Sequence, residues 1–116
     1  MPNLVPGQGL GSRIEHRPVW SNYIGPISVQ MLGMGKGERI SSAMASIVLG
    51  YQIDQVVTAT ILPGDNKAYD IVQVMVGPFL DVGDYDICIE MITNVGTVIG
   101  AVVKLPVMRF PAEAAV

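Results

Sequence analysis

Every second residue is apolar through most of the middle of this chain, and that period of two limits its fold more than any other feature. In the run from Ile27 to Leu32, Ile27, Val29 and Met31 share one face, while Ser28 and Gln30 share the other. From Ala43 to Ile53 the odd positions are all apolar: Ala43, Ala45, Ile47, Leu49, Tyr51 and Ile53. Successive side chains of a strand point to opposite faces, so such alternation makes a half-buried strand; a helix repeats at about 3.6 residues. Ala and Met favour helices, and Arg39–Tyr51 can also be read that way. Gly50, the serines and the alternation favour the strand.

The remaining runs follow the same rule. Val56 to Leu62 is rich in β-branched residues, and "PGDNK" (Pro63 to Lys67) is a turn signal. Tyr69 to Val76 sets Val72, Val74 and Val76 on one face, with Asp70 at its leading edge. "GPFLDVG" reads as a corner, Tyr85 to Met91 alternates again, and "TNVGT" (Thr93 to Thr97) reads as a hairpin turn. Val98 to Phe110 is the last strand, with Pro106 marking a bulge or an edge. The expected fold is all-β: an antiparallel β-sandwich of six to seven strands, Ig-like or jelly-roll-like.

The ends lack this period. Residues 1–20 hold three prolines and three glycines and read as part of an extended N-terminal arm over 1–22, preceding a sandwich domain over 23–110 and a tail over 111–116. Leu4, Val5, Leu10, Trp20 and Tyr23 are the apolar anchors in and beside the arm. An arm unable to bury them against itself is suited to docking across a neighbouring subunit.

Composition bounds the function. At 116 residues the chain is one domain that can support a core without metal or disulfide. Half of it is apolar and only 15% is charged, against an ordinary charged share of about 25%. So small a domain must turn apolar side chains outward unless another subunit covers them, which implies a homo-oligomer. A net charge of −3 with scattered Lys and Arg argues against nucleic acid. No run is apolar for the ~20 residues needed to span a bilayer. The start has neither the basic end nor the apolar stretch of a secretory signal, so synthesis in the cytoplasm is expected.

"DVGDYDI", from Asp81 to Ile87, resembles the tyrosine corner at the E–F turn of immunoglobulin-like sandwiches, with Asp81, Gly83, Tyr85 and Ile87 in its four positions. The resemblance implies a tyrosine hydroxyl bonded back to the corner backbone and a ring packed at the sandwich end. Ile87 stands where the intersheet cysteine would be, and Trp20 lies far from the usual tryptophan position, so antibody-type recognition is not implied.

Catalytic signals are weak. "GQGLG" (Gly7 to Gly11) and "GMGKG" (Gly33 to Gly37) lack the Gly-Lys-Ser/Thr of a phosphate loop. His16, the single histidine, sits between arginines in the arm, and Cys88 has no basic neighbour to activate it. Asp81, Asp84 and Asp86, with Asp65 and Glu90, lack the spacing of a dedicated calcium loop. Asp70 or Glu90 is expected to pair with Lys104 across a strand. No catalytic residue, cofactor or metal is assigned. The expected role is a non-enzymatic structural subunit of a large assembly, of the bacteriophage capsid, decoration or tail type, contacting itself and other structural proteins. The alternative is a cytoplasmic ligand- or partner-binding β-sandwich.

Overall fold

The alternating runs pair into two sheets that bury their apolar faces against each other. The computed structural model describes residues 3–4, 12–31, 37–63 and 70–111. Its strands are β1 (Asn3–Leu4), β2 (Ser12–Glu15), β3 (Val19–Trp20), β4 (Gly25–Met31), β5 (Ile40–Leu49), β6 (Gln52–Thr58), β7 (Thr60–Pro63), β8 (Asp70–Val76), β9 (Gly83–Thr93) and β10 (Val98–Met108). One sheet has the order β1-β4-β8-β7; the other runs β2-β10-β9-β5-β6, with β3 also paired to β10. The expected all-β sandwich is the fold, and the seven strands from β4 onward are joined by antiparallel pairs.

The core follows strand parity. The smaller sheet turns Ile27, Val29 and Met31 of β4 and Val72, Val74 and Val76 of β8 inward. The larger sheet answers with Ala43, Ala45 and Ile47 of β5, Tyr85 to Met91 at odd positions of β9, and Ile99 to Val107 at odd positions of β10. Val, Ile and Ala on facing pleats fill such a layer in well-defined rotamers, each large side chain contributing roughly 1.5–3 kcal/mol on burial.

Three sequence expectations are corrected. The arm over 1–22 is no separate element in its described part. Asn3–Leu4 pairs in parallel with Gln30–Met31 of β4, Ser12–Glu15 with Ala101–Lys104 of β10, and Val19–Trp20 with Val107–Met108. Ile14 and Val19 lie opposite Val103 and Val107 and pack against the core, so the boundary at residue 22 cuts through the larger sheet. These parallel pairs also make the sandwich mixed rather than wholly antiparallel, and bring the described strands to ten.

Second, Ala43–Ile53 is not one strand. The chain reverses at Gly50–Tyr51, where Gly50 has φ +66°, a left-handed conformation that L side chains rarely adopt. Leu49 then pairs with Gln52 and Val48 with Ile53, so Ile53 falls on the face opposite Ile47. Third, Val56–Leu62 is split at Ala59: β6 belongs to the larger sheet and β7 to the smaller. Each short piece keeps the alternation, so the period gave no sign of the break.

Pro106 is accommodated in the β10 ladder by a gap beside it. Lys104 and Met108 accept bonds from His16 and Ser21 on the leader side, so by parity the amide Pro106 lacks would point the same way. There the parallel partner is interrupted between β2 and β3, over His16 to Pro18.

Candidate functional site

The even positions of β9 and β10 project from the outer face of the larger sheet, and the registers place them in rows. One row runs Gly100, Glu90, Met44, Thr58; the next, Arg13, Val102, Cys88, Ser46, Val56; the next, Glu15, Lys104, Asp86, Val48, Ile53. Gly100 has no side chain, and Ser46 and Cys88 are short, so the centre of the face is hollow. Met44, Val56, Val98 and Val102 stand around it, and the open depression has a volume of about 510 Å³. Met44, Val56 and Val98 are 53%, 55% and 62% exposed. Ile53 and Ile92 continue the apolar surface to either side.

Charges lie along one flank of this face. Arg13 Nη1 donates to Asp86 Oδ1 at 3.1 Å, and Lys104 lies in register with both Asp86 and Glu15. Asp86 therefore stands opposite Lys104, while Glu90 faces Gly100, which corrects the expected Glu90–Lys104 pair. Burial raises the pKa of the Cys88 thiol, as does the Asp86 carboxylate, with Arg13 opposing. A thiol held protonated is a poor nucleophile, and the depression around it is lined mainly by apolar side chains, with Glu90 as its one carboxylate.

Asp70 is the one buried carboxylate of the described residues, and it belongs to the other sheet. It opposes Met31 on the inner face of β8, where Oδ1 accepts from Arg39 Nε at 2.9 Å and from Arg39 Nη2, and Oδ2 accepts from the Ile40 amide at 2.8 Å. Burial pushes its pKa up, but the bonds from Arg39 and Ile40 and the guanidinium charge outweigh that and hold it below the usual carboxylate range. The expectation that Asp70 reaches Lys104 is corrected: its partner is Arg39, placed there by the segment entering β5. Asn94 secures the same segment, accepting from the Arg39 amide and donating to the Gly37 carbonyl.

At the opposite end of the sandwich, the Tyr85 hydroxyl donates to the Asp81 carbonyl at 2.9 Å, and its ring lies 4.9 Å from that of Phe79. Gly83 has φ +141°, and a Cβ there would sit 3.3 Å from Leu49 Cδ1. Ile87 is fully buried on β9. Beside this corner Ser21 ties three segments: its amide donates to Met108 O, its carbonyl accepts from the Phe79 amide, and its Oγ accepts from the Phe110 amide. Sequence reading passed over Ser21. A lone serine after an aromatic carries no pattern that points to it.

The arm anchors are dispersed. Leu4 lies in β1, and Trp20 meets Phe110 edge-on at 5.9 Å. Tyr23 packs against the core and donates through its hydroxyl to Pro26 O. Expectations for Val5, Leu10, Asp65 and the two glycine loops fall outside the described residues, apart from Gly37. His16 Nδ1 lies 2.8 Å from Arg17 O, a local contact. Asp81 accepts Tyr85 through its carbonyl, while Asp84 and Asp86 stand on the outer face of β9, so the carboxylates grouped by sequence are divided. Among the described residues no three His, Cys, Asp or Glu side chains gather as a metal site would require.

No protein-family profile matches this chain, and no curated protein has significant similarity to it.

Proposed function

We propose that this chain is a non-enzymatic structural subunit of a large homo-oligomeric assembly, of the kind that builds a bacteriophage head, its decoration or its tail. The observation that carries this reading is the apolar outer face of the larger sheet, where Met44, Ile53, Val56 and Val98 are all more than half exposed. Covering large apolar side chains against a neighbour releases the water they order, which drives association. In this reading the sandwich faces and edges carry assembly, since the described leader strands are committed to their own chain. The Asp81–Tyr85 corner, with its immunoglobulin-like resemblance, is a rigid end from which the faces are presented.

Sedimentation velocity on the purified full chain, with negative-stain micrographs, tests the proposal. Regular multimers are the expected outcome, and replacing Met44 and Val56 by Asp should shift mass toward the monomer with an unchanged circular dichroism spectrum. A wild-type monomer at every concentration refutes it. The depression favours a second reading, a binding module for a small apolar ligand or partner, which requires a stable monomer and a saturable probe site. Fluorescence titration with an apolar dye, repeated with Gly100→Leu filling the hollow, separates the two.

A further inference from the structure

The described sheet edges are not equally defended. β1 has two residues, β7 has four and ends at Pro63, and the leader edge of the larger sheet carries Arg13, Glu15, Arg17 and Pro18. Short strands, charges and prolines are the usual means by which an edge avoids pairing with another chain. β6 is defended only at Asp54, its one charge: it is seven residues long, with no proline and no basic side chain. Among the described residues no strand pairs with it on the side away from β5, and every residue but Val57 is exposed.

Parity shows which backbone groups are unused. The Ala59 amide donates to the Ala43 carbonyl, so in this ladder Val57 and Gln55 turn their amides and carbonyls toward β5. Val56 and Thr58 turn theirs outward. The irregularity in β6 falls at Asp54, which has no partner on β5, leaving Gln55–Thr58 as the regular stretch.

We propose, resting on the assembly reading above, that β6 pairs antiparallel with β6 of a second copy about a two-fold axis at Val57. In this register Val56 of each copy exchanges hydrogen bonds with Thr58 of the other, four bonds in all by parity, and both larger sheets join into one. The arrangement is self-complementary, as a two-fold interface must be. Electrostatics favours a second copy over a charged partner: the paired stretch has no charged side chain, and Asp54 lies outside it. The cross-strand pairs on the outer face are Val56 with Thr58, both β-branched. The two apolar outer faces then run on across the axis.

The test uses the full chain. At the axis, Val57 opposes its own copy in a non-hydrogen-bonded pair, with Cα atoms about 4.5 Å apart, within reach of a disulfide. In a Cys88→Ser background, Val57→Cys is expected to give a disulfide-linked dimer under glutathione disulfide. Thr58→Cys, which opposes Val56, should cross-link at least tenfold more slowly. The double variant Val56→Pro, Thr58→Pro removes both outward amides and should abolish dimer in sedimentation runs taken up to about 1 mM, whereas the double variant Val56→Ala, Thr58→Ala, which trims the same side chains and keeps the amides, should still dimerise. A folded proline variant of wild-type mass overturns edge pairing while leaving the subunit reading intact. Equal cross-linking at 57 and 58, or none at 57, overturns the register even if the proline variant does not fold. A monomeric wild type defeats both proposals.

Discussion

Replacing Asp70 by alanine removes the acceptor for three donors at once: Arg39 Nε, Arg39 Nη2 and the Ile40 amide. The Arg39 side chain is about one-third exposed, so its freed donors turn to water and add little. The Ile40 amide is different: Ile40 is buried, and Asp70 Oδ2 is its acceptor at 2.8 Å. Leaving a buried donor unmet costs about 1–3 kcal/mol, and the shortened side chain opens a void against Met31. The expected loss is about 2–3 kcal/mol, read as a lower urea midpoint with an unchanged slope. Asp70→Asn keeps an acceptor oxygen and should lose about half as much.

The pH dependence supplies the sharper check. Arg39 and Ile40 hold the folded Asp70 carboxyl below its ordinary value despite burial, and an unfolded Asp titrates near 3.9. The unfolded chain therefore takes up the proton first as pH falls. The stabilisation is complete above the unfolded value and is lost as pH drops through the folded one. The gap between wild type and Asp70→Asn should be widest at pH 6–7 and narrow steadily below about pH 4. A pH-independent gap, or an alanine variant within about 0.5 kcal/mol of wild type, would show that Asp70 does not hold this end of the sandwich through Arg39 and Ile40.

Three further outcomes follow from named contacts. Tyr85→Phe deletes the bond to the Asp81 carbonyl and leaves the ring against Phe79, so urea unfolding should show a loss of about 1 kcal/mol. Gly77 has φ +88°, and a Cβ there would lie 1.8 Å from the Tyr23 carbonyl oxygen; Gly77→Ala should cost more than about 3 kcal/mol by the same assay. Cys88, half-buried and with its pKa raised, should react with a maleimide at pH 7 several-fold more slowly than a free cysteine and speed up as pH rises.

Alternation within a strand is local, and it was legible. The inward faces of β4, β8 and β9 could be read directly, as could the hairpin at Thr93–Thr97, where the Thr93 amide meets the Thr97 carbonyl. A period of two says which residues share a face, because the pleat alone sets it. It does not say where a run is cut, since the parity flip at Gly50–Tyr51 leaves an apolar residue at each expected position. The sheet switch at Ala59 is invisible for the same reason.

The site was less legible still. Its hollow exists because Gly100, Cys88 and Ser46, on three strands, come into adjoining rows, and only the registers of β5, β9 and β10 bring them together. The leader strands join β10 across some 90 residues of sequence, with pairing segments of two to four residues that carry too little pattern to announce themselves. Composition and period by themselves determined that this chain forms strands with one greasy face. Which strands neighbour one another, which edge stays bare and where Asp70 finds its cation were decided by tertiary structure, because hydrogen-bond pairing between distant segments depends on the geometry of both partners at once.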